Sequence, residues 1–417
     1  MNHGILTLDD VELKGKRVLC RVDINCPIDR ESGTLKDTTR IDRCLDTLRE
    51  LSEKGARVAI ISHQGGDLEY HNFYSTRPHA EYISERIGKK VEFVDDYCGP
   101  TARQRIEGLK DGELLMLENV RIMAEEMTLF ETKLQLTPQQ QALTYPVRKL
   151  SPIIDLFVCD AFATAHRAQP STVGFPELVP SVMGRLFEKE FCTLTKVLEE
   201  PKRPCVFLLG GTKVEDAFLM MQSVLDNGTA DLILTGGLVS QIFLLAKGTP
   251  IGKASEQLLH KKKLMDLVDT AKAILAGHED KVMLPIDFNY GEDSRRVVGI
   301  DDLLDDEMIT DIGDATVDDY EEHINKAATI FINGPVGIFE KEGSSLSTKR
   351  LWECITKSNA FSVIGGGDSI TAANKFGVTS GFSYVCTAGG GLVRFMSGET
   401  LPTVKALRDS AKRFKKK

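Results

Sequence analysis

Along most of its 417 residues the chain repeats one unit: a short β-branched apolar run, a break of glycine or polar residues, then apolar positions at helical spacing. That alternation predicts an α/β protein with parallel sheets covered by helices, since parallel strands need a crossover and a helix makes it compactly. In such sheets ligands gather beyond the carboxyl ends of the strands. The residues standing there carry the functional information.

Those ends differ between the two halves. In the first, "RVLCRVDIN" ends in Asp23, Ile24 and Asn25, with Arg40 following in "TTRIDRCLDTLREL". "ARVAIISHQGG" ends in His63, Gln64, Gly65 and Gly66, and "ELLMLENVR" in Asn119 and Arg121. "IIDLFVCDAFATAHRAQPS" carries Asp160, His166, Arg167 and Ser171 just past its strand. Arginine offers a fixed fork of donors to carboxylate or phosphate, so this edge suits a small polyanion. The second half ends its runs in glycine. "CVFLLGGTKVED" gives Gly210, Gly211 and Lys213, "LILTGG" gives Gly236 and Gly237, and "TIFINGPVGIFE" gives Asn333, Gly334 and Pro335. "FSVIGGGDS" and "FSYVCTAGGG" complete the series. Glycine admits a ligand close to the backbone and helix N-termini donate to phosphate, so this half reads as a nucleotide site with one phosphate-directed lysine. Taken singly, a strand-end histidine or arginine is more often structural, and a glycine break is ordinary turn chemistry. The set is what is specific.

The stretch "GGGDSITAANKFG" (365–377) fits neither familiar phosphate motif: Ile370 stands where a dinucleotide fingerprint needs a small residue, and no Gly-Lys-Ser/Thr follows for a P-loop. Asp368 in that cradle has two readings. It is a helix N-cap, or it faces a metal ion held by phosphates, since Mg²⁺ sites combine one or two carboxylates with phosphate oxygens.

Composition narrows the class. With 42% hydrophobic and 27% charged residues the chain is a globular protein with room for two or three domains. A net charge of −9 argues against nucleic acid as the main partner. The nine cysteines are odd in number, without a Cys-x-x-Cys pair, which fits a reducing cytoplasm better than a disulfide scaffold or zinc module. No signal pattern or membrane-length apolar run is expected, and the basic cluster Lys412, Arg413, Lys415, Lys416 and Lys417 reads as a solvated helix end. Between the halves, "VMGRLFEKEFCTLTKVLEE" (182–200) has helical spacing and reads as a connecting helix, with a hinge as its functional reading. The expected division is therefore 1–181, the helix 182–200, 201–398, and a segment 399–417 returning to the first domain. No obligate protein partner is evident.

The motifs "RVDINCP", "SHQGG", "LENVR", "DAFATAHRAQPSTVGFP", "LLGGTKVED", "NGPVGIFE", "GGGDS" and "TAGGG", in this order, resemble those of the phosphoglycerate kinases across nearly the whole chain. "SHQ", "AHRAQPS" and "KVEDA" resemble the archaeal branch. The resemblance implies two Rossmann-like domains joined by a helix. It implies reversible phosphoryl transfer between ATP and 3-phosphoglycerate, giving ADP and 1,3-bisphosphoglycerate, with Mg²⁺. By similarity, Asp23, Ile24, Asn25, Arg40, His63, Gln64, Gly65, Gly66, Arg121 and Arg167 would meet the phosphoglycerate. Lys213, Gly236, Gly237, Glu340, Gly366, Gly367, Asp368 and Ser369 would meet the nucleotide, Glu340 at the ribose, Gly236 and Gly237 at adenine, and Asp368 at the metal. The chemistry agrees with this assignment: the attacking carboxylate is already ionised at neutral pH, so no general base is needed, and positioning with charge stabilisation carries the reaction. His63 and His166 then read as donors or positioners. Arg40 and Lys213, from opposite halves, are the expected stabilisers of the moving phosphoryl group, and closure of the domains is expected to complete that pair.

Three positions depart from the commoner family form. Gly66 stands in place of an arginine, with Arg77 as a candidate substitute, Gln169 in place of a second histidine, and Ala217 in place of a second lysine. Residues 126–150 read as a structural insertion. Two rival readings remain at this level, a related kinase acting on another carboxylate and a catalytically silent nucleotide-binding protein. A Rossmann dehydrogenase fails the fingerprint test.

Overall fold

The computed structural model describes residues 2–29, 31–66 and 73–414. Contacts divide the chain into two units, Met1–Cys192 with Thr400–Lys417, and Thr193–Glu399.

In the first unit the described residues form a sheet of six parallel strands, β1 (Arg17–Val22), β2 (Arg57–Ile61), β3 (Val91–Val94), β4 (Leu114–Leu117), β5 (Leu156–Asp160) and β6 (Ser181–Met183), in the order β3-β4-β2-β1-β5-β6. Five of the six β1 residues are buried, as expected for a strand covered on both faces. The covering helices show their cause in the sequence. Thr39–Glu53 buries Ile41, Cys44, Leu45, Leu48 and Leu51, the spacing of one helical face. Each fully buried side chain of that size contributes roughly 1.5–3 kcal/mol. The helix Pro402–Phe414 buries Val404, Leu407 and Ala411 and packs on β6 and on the turns at Pro170–Glu177.

The connecting helix starts later than its spacing suggests, at Arg185, and runs to Glu199. The reason is β6: Val182 and Met183 pair with Val158 and Cys159 and are fully buried, so they belong to the sheet edge. Asp160 then caps the helix, accepting from the backbone N–H of Leu186 (2.9 Å) and Phe187 (3.1 Å). It is thus a structural group. Burial raises its pKa to about 7. Within the C-terminal basic cluster, Lys412 pairs with Asp409 and Arg413 with Glu177, so these two are anchored; Lys415, Lys416 and Lys417 lie outside the described residues.

In the second unit β7 (Cys205–Leu209), β8 (Leu232–Thr235) and β9 (Val282–Met283) belong to the main sheet. β10 (Asp287–Tyr290), β11 (Arg296–Gly299) and β12 (Ile309–Ile312) form a separate antiparallel sheet, which the sequence pattern did not suggest. β13 (Thr329–Asn333), β14 (Phe361–Gly365) and β15 (Tyr384–Cys386) complete the parallel sheet in the order β15-β14-β13-β7-β8-β9. Counting only its own strands, this is the doubly wound order 6-5-4-1-2-3, whose direction reverses between β7 and β13. A ligand crevice is therefore expected beyond Leu209 and Asn333. All nine cysteines are free thiols, and among the described residues no helix is long and apolar enough to cross a membrane.

Candidate functional site

At the carboxyl edge of the first unit, a fully buried arginine organises the groups. Arg21, next to last in β1, donates from Nη1 to Ser62 Oγ (3.3 Å) and from Nε to Ser171 Oγ (3.4 Å), with its Nη2 3.1 Å from His63 Nδ1. His63 is held well below its ordinary pKa, first by burial and then by the charges of Arg21, Arg121, Arg167 and Arg40. It is therefore neutral at pH 7, and its Nδ1 accepts from Arg21. The charges of four arginines thus act on one neutral imidazole, with Arg21 in direct contact.

Each arginine is held by a counter-group. Arg40, in the first turn of its helix, pairs with the buried Asp23, which also accepts from the Asn25 N–H at 3.3 Å. Arg121 donates to the Gly65 carbonyl and stands on a 3₁₀ turn capped by Asn119. The Asn119 Oδ1 accepts from the N–H of Arg121 and of Gln64, both at 3.1 Å, tying the β2 and β4 loops together. Asn25 Oδ1 accepts from the Gly65 N–H at 3.0 Å.

Two expected ligand residues point elsewhere. Ile24 is fully buried, so only its backbone faces this edge, and its N–H already donates to Ser62 Oγ at 3.4 Å. Gln64 clamps the Cys26 backbone through both ends of its amide (2.9 and 2.8 Å) and meets His79 Nε2 at 2.9 Å. Arg77 lies over the Phe93 ring at 4.4 Å, stacked on the edge strand rather than replacing the arginine that Gly66 lacks.

The stretch 126–150 does more than fill space. Glu131, on the short helix Thr128–Leu134, pairs with Arg167 (3.3 Å), accepts from the Ala168 N–H (3.1 Å) and accepts from Gln169 Nε2 (3.2 Å). Glu126 is buried and accepts from the Ser171 N–H (2.7 Å) and Oγ (2.8 Å); burial raises its pKa to about 7. Arg21, Glu126 and Glu131 were missed by sequence reading. The position of Arg21 inside the run "RVLCRV" was the available signal.

The second unit builds its edge from main chain. Gly334 has φ +91°, and a Cβ there would stand 2.2 Å from the Gly210 carbonyl oxygen. A Cβ on Gly237 (φ +55°) would lie 2.8 Å from the Gly211 nitrogen. The loops after β7, β8 and β13 thus touch backbone to backbone, at the point where the strand order reverses. Ser369 Oγ accepts from the Gly334 N–H at 2.7 Å, joining the loop after β14 to the same knot.

Two adjoining cavities open on this knot. One, of about 190 Å³, is lined by glycines of four loops with Lys213, Asp368 and the methyl of Ala217. Among the described residues Lys213 is the one cation lining it. The other, of about 540 Å³, is walled mainly by Leu238, Leu258, Phe288, Met308, Val336 and Phe339, with Lys262, Thr310, Asp311, Glu340 and Asp368 also in its lining. Phe288 and Met308 come from β10 and the segment before β12, so the unforeseen antiparallel sheet supplies one wall.

Asp368 is not the cap of its helix. Gly366 (φ +88°) holds the N-cap position of Gly367–Lys375, and Asp368 follows in the first turn. Among the described residues no group of three or more His, Cys, Asp or Glu could hold a metal by itself. A lone carboxylate on a glycine cradle fits Mg²⁺ that takes its remaining ligands from phosphates and water.

The chain matches the family model for phosphoglycerate kinase over residues 8–399. A phosphoglycerate kinase of Methanobacterium bryantii is 41% identical over 409 residues, 98% of both chains. One of Thermococcus kodakarensis is 42% identical over 413 residues, again 98% of both. The crystal structure of phosphoglycerate kinase from Pyrococcus horikoshii OT3 superposes with a TM-score of 0.88 at 38% identity, covering 98% of this chain and 100% of that one. A Coxiella burnetii phosphoglycerate kinase structure gives 0.83 at 32% identity, with 98% and 100% covered. Sequence motifs, strand order and site chemistry lead to one assignment: the chain belongs to the phosphoglycerate kinase family.

Proposed function

We infer that the protein carries out its family's reaction, reversible Mg²⁺-dependent phosphoryl transfer between ATP and the carboxylate of 3-phosphoglycerate, through the two strand edges described above. The observation that carries the residue assignment in the first unit is the set of four arginine charges around neutral His63. That edge takes the phosphoglycerate: Arg40, Arg121 and Arg167 meet its anionic groups as charged donors, and His63 orients them as a neutral one. Asn25, Gly65 and Gly66 shape the floor, with Asp23 fixing Arg40.

The second unit takes the nucleotide. The glycine cradle receives its phosphates, Lys213 and the backbone donors at Gly366 and Gly367 counter their charge, and the apolar cavity takes the base, with Glu340 at the ribose. Asp368 is the residue that would hold Mg²⁺, which when bound neutralises charge on the transferring phosphates. The attacking carboxylate is ionised at neutral pH, so no residue need remove a proton. Arg40 and Lys213 stabilise charge on the moving group, and their contribution to the rate is electrostatic. The free thiols, seven of them buried, suit a reducing cytoplasm.

ADP formation from ATP and 3-phosphoglycerate, followed at several Mg²⁺ concentrations, tests this reading. The wild type should turn over, and Asp368→Ala should lose most turnover and respond differently to Mg²⁺. Full activity with an unchanged magnesium titration would remove Asp368 from the metal site. Turnover only with another carboxylic acid would favour the related-kinase reading, which the loss of an arginine at Gly66 motivates.

A further inference from the structure

The helix Gly367–Lys375 grips one loop at two points. In its first turn Ser369 Oγ accepts from the Gly334 N–H at 2.7 Å, where the loop after β13 begins. At its last residue Lys375 Nζ donates to the Phe339 carbonyl at 2.8 Å and the Glu340 carbonyl at 3.0 Å, in a turn farther along that loop. The second grip is of a different kind from the fold's other lysine contacts. Lys54, Lys253 and Lys405 each meet a carboxylate. A lysine that closes a helix ordinarily serves its own terminal carbonyls or water. Lys375 has no carboxylate partner among the described residues and gives two donors to consecutive main-chain oxygens of another element. Among the described residues no backbone N–H reaches either oxygen.

What this turn carries gives the contact its meaning. Before it the Ile338 N–H donates to the Thr310 carbonyl of β12 at 2.9 Å, and after it Lys341 pairs with Glu292 at 2.9 Å. Phe339 is 7% exposed and is kept in place by packing, whereas Glu340 is exposed and takes its direction from its backbone. On the helix side Lys375 is the described group that holds that backbone. The same helix carries Asp368 in its first turn, so a stiff rod with about 10 Å of rise joins Asp368 to the lysine. We propose that Lys375 is a positioning residue for nucleotide, fixing the Glu340 turn at a set distance from Asp368 so that ribose and phosphates are held at once. This rests on the assignment of Glu340 to the ribose and of the glycine cradle to the phosphates. Lys375 lines neither cavity, so it acts through the two peptide oxygens. Glu340 is thereby ordered before nucleotide arrives, and binding is spared that loss of freedom.

The test is ADP binding by calorimetry, without acceptor, on wild type, Lys375→Met, Lys375→Arg, Glu340→Ala and the double variant Lys375→Met/Glu340→Ala. Lys375→Met keeps the length of the side chain and removes its donors. We expect it to weaken ADP roughly fivefold, the effect of freeing one ordered side chain. Lys375→Arg keeps charge and donors and should lose less than about twofold. Because the lysine acts through Glu340, its removal should cost less than about twofold in the Glu340→Ala background. Calorimetry with 3-phosphoglycerate should give the same affinity for Lys375→Met as for wild type. Lys375 is exposed, so ligand-free unfolding midpoints should agree within about 2 °C. Unchanged ADP affinity in Lys375→Met would overturn the proposal, as would an arginine variant as weak as the methionine one. A fivefold loss that persists in the Glu340→Ala background, or an equal loss for 3-phosphoglycerate, would show a general structural role and overturn it too. Failure of the underlying reading looks different: wild type would bind no ADP, or Glu340→Ala alone would leave ADP affinity untouched, and the proposal would fall with it.

Discussion

Glu131 occupies the arginine that the proposed function gives to the substrate. Substrate anion and Glu131 therefore compete for Arg167, and replacing Glu131 by Gln should favour the substrate. The Arg167–Glu131 separation is 3.3 Å, with side chains 30% and 20% exposed. At an effective dielectric constant near 20 a pair at that distance attracts by about 5 kcal/mol, an upper bound. Solvent screening and side-chain ordering reduce a partly exposed pair of this kind to about 1 kcal/mol, or roughly fivefold in binding. Gln keeps an acceptor for the Ala168 N–H, so the loop retains that hold when the charge goes. Steady-state kinetics should then give a KM for 3-phosphoglycerate about fivefold lower in Glu131→Gln, with the KM for ATP unchanged. The gap should narrow at high salt, where the competing ion pair is itself screened. A KM for 3-phosphoglycerate that is unchanged or raised would refute the competition.

Three further outcomes are expected. Arg167→Ala should weaken 3-phosphoglycerate by about 1.5–3 kcal/mol while leaving ADP binding intact, as read by calorimetry with each ligand; equal losses for both would contradict separate sites. Gly334→Ala should destabilise the protein by on the order of 2–3 kcal/mol, since it places a methyl against the Gly210 carbonyl at a positive φ; an unshifted denaturant midpoint would disprove the close approach. Burial lowers the His79 pKa to about 4 from an ordinary 6.5, so below pH 6.5 the unfolded chain takes up a proton that the folded one refuses. Stability from this group is whole above pH 6.5 and is lost as pH falls toward 4, by up to roughly 3 kcal/mol. The stability advantage of wild type over His79→Gln should therefore shrink between pH 6.5 and 4.5, and a constant difference would count against a neutral buried imidazole.

Much of the fold was legible because parallel strands announce themselves: "VLCRV", "VAII", "LLML" and "LFVCD" are apolar runs, and each sits in a six-stranded sheet. The antiparallel sheet was not legible. Its strands are four residues each, β11 is largely exposed, and "YGEDSRR" reads as a polar loop. Consequently the Phe288 and Met308 wall of the apolar cavity was invisible too. Strand-end residues such as His63, Arg121 and Lys213 could be named because position along a run is a local property. Arg21 offered only its place inside such a run, since its burial comes from the neighbours β2 and β5 and from Ser171, which is 150 residues distant. Glu131 escaped for the same reason: nothing within "TLFETKL" says which arginine it will meet.

The backbone knot at Gly210, Gly237 and Gly334 has a consequence for how this enzyme answers change. A binding surface made of side chains can be retuned one residue at a time, and its charges come and go with pH. Peptide N–H groups do neither: they are present whatever residue is encoded and do not titrate in any physiological medium. In this knot the N–H groups of Gly210, Gly237 and Gly334 are taken up by the Asn333 and Val336 carbonyls and by Ser369 Oγ, so it is a frame held by its own backbones, and the freely adjustable part of the cradle is what borders it. On the proposed function, variation in the response to nucleotide should therefore concentrate in a few bordering side chains, Lys213, Asp368 and the walls of the apolar cavity, around a backbone frame that heredity can break but scarcely modulate.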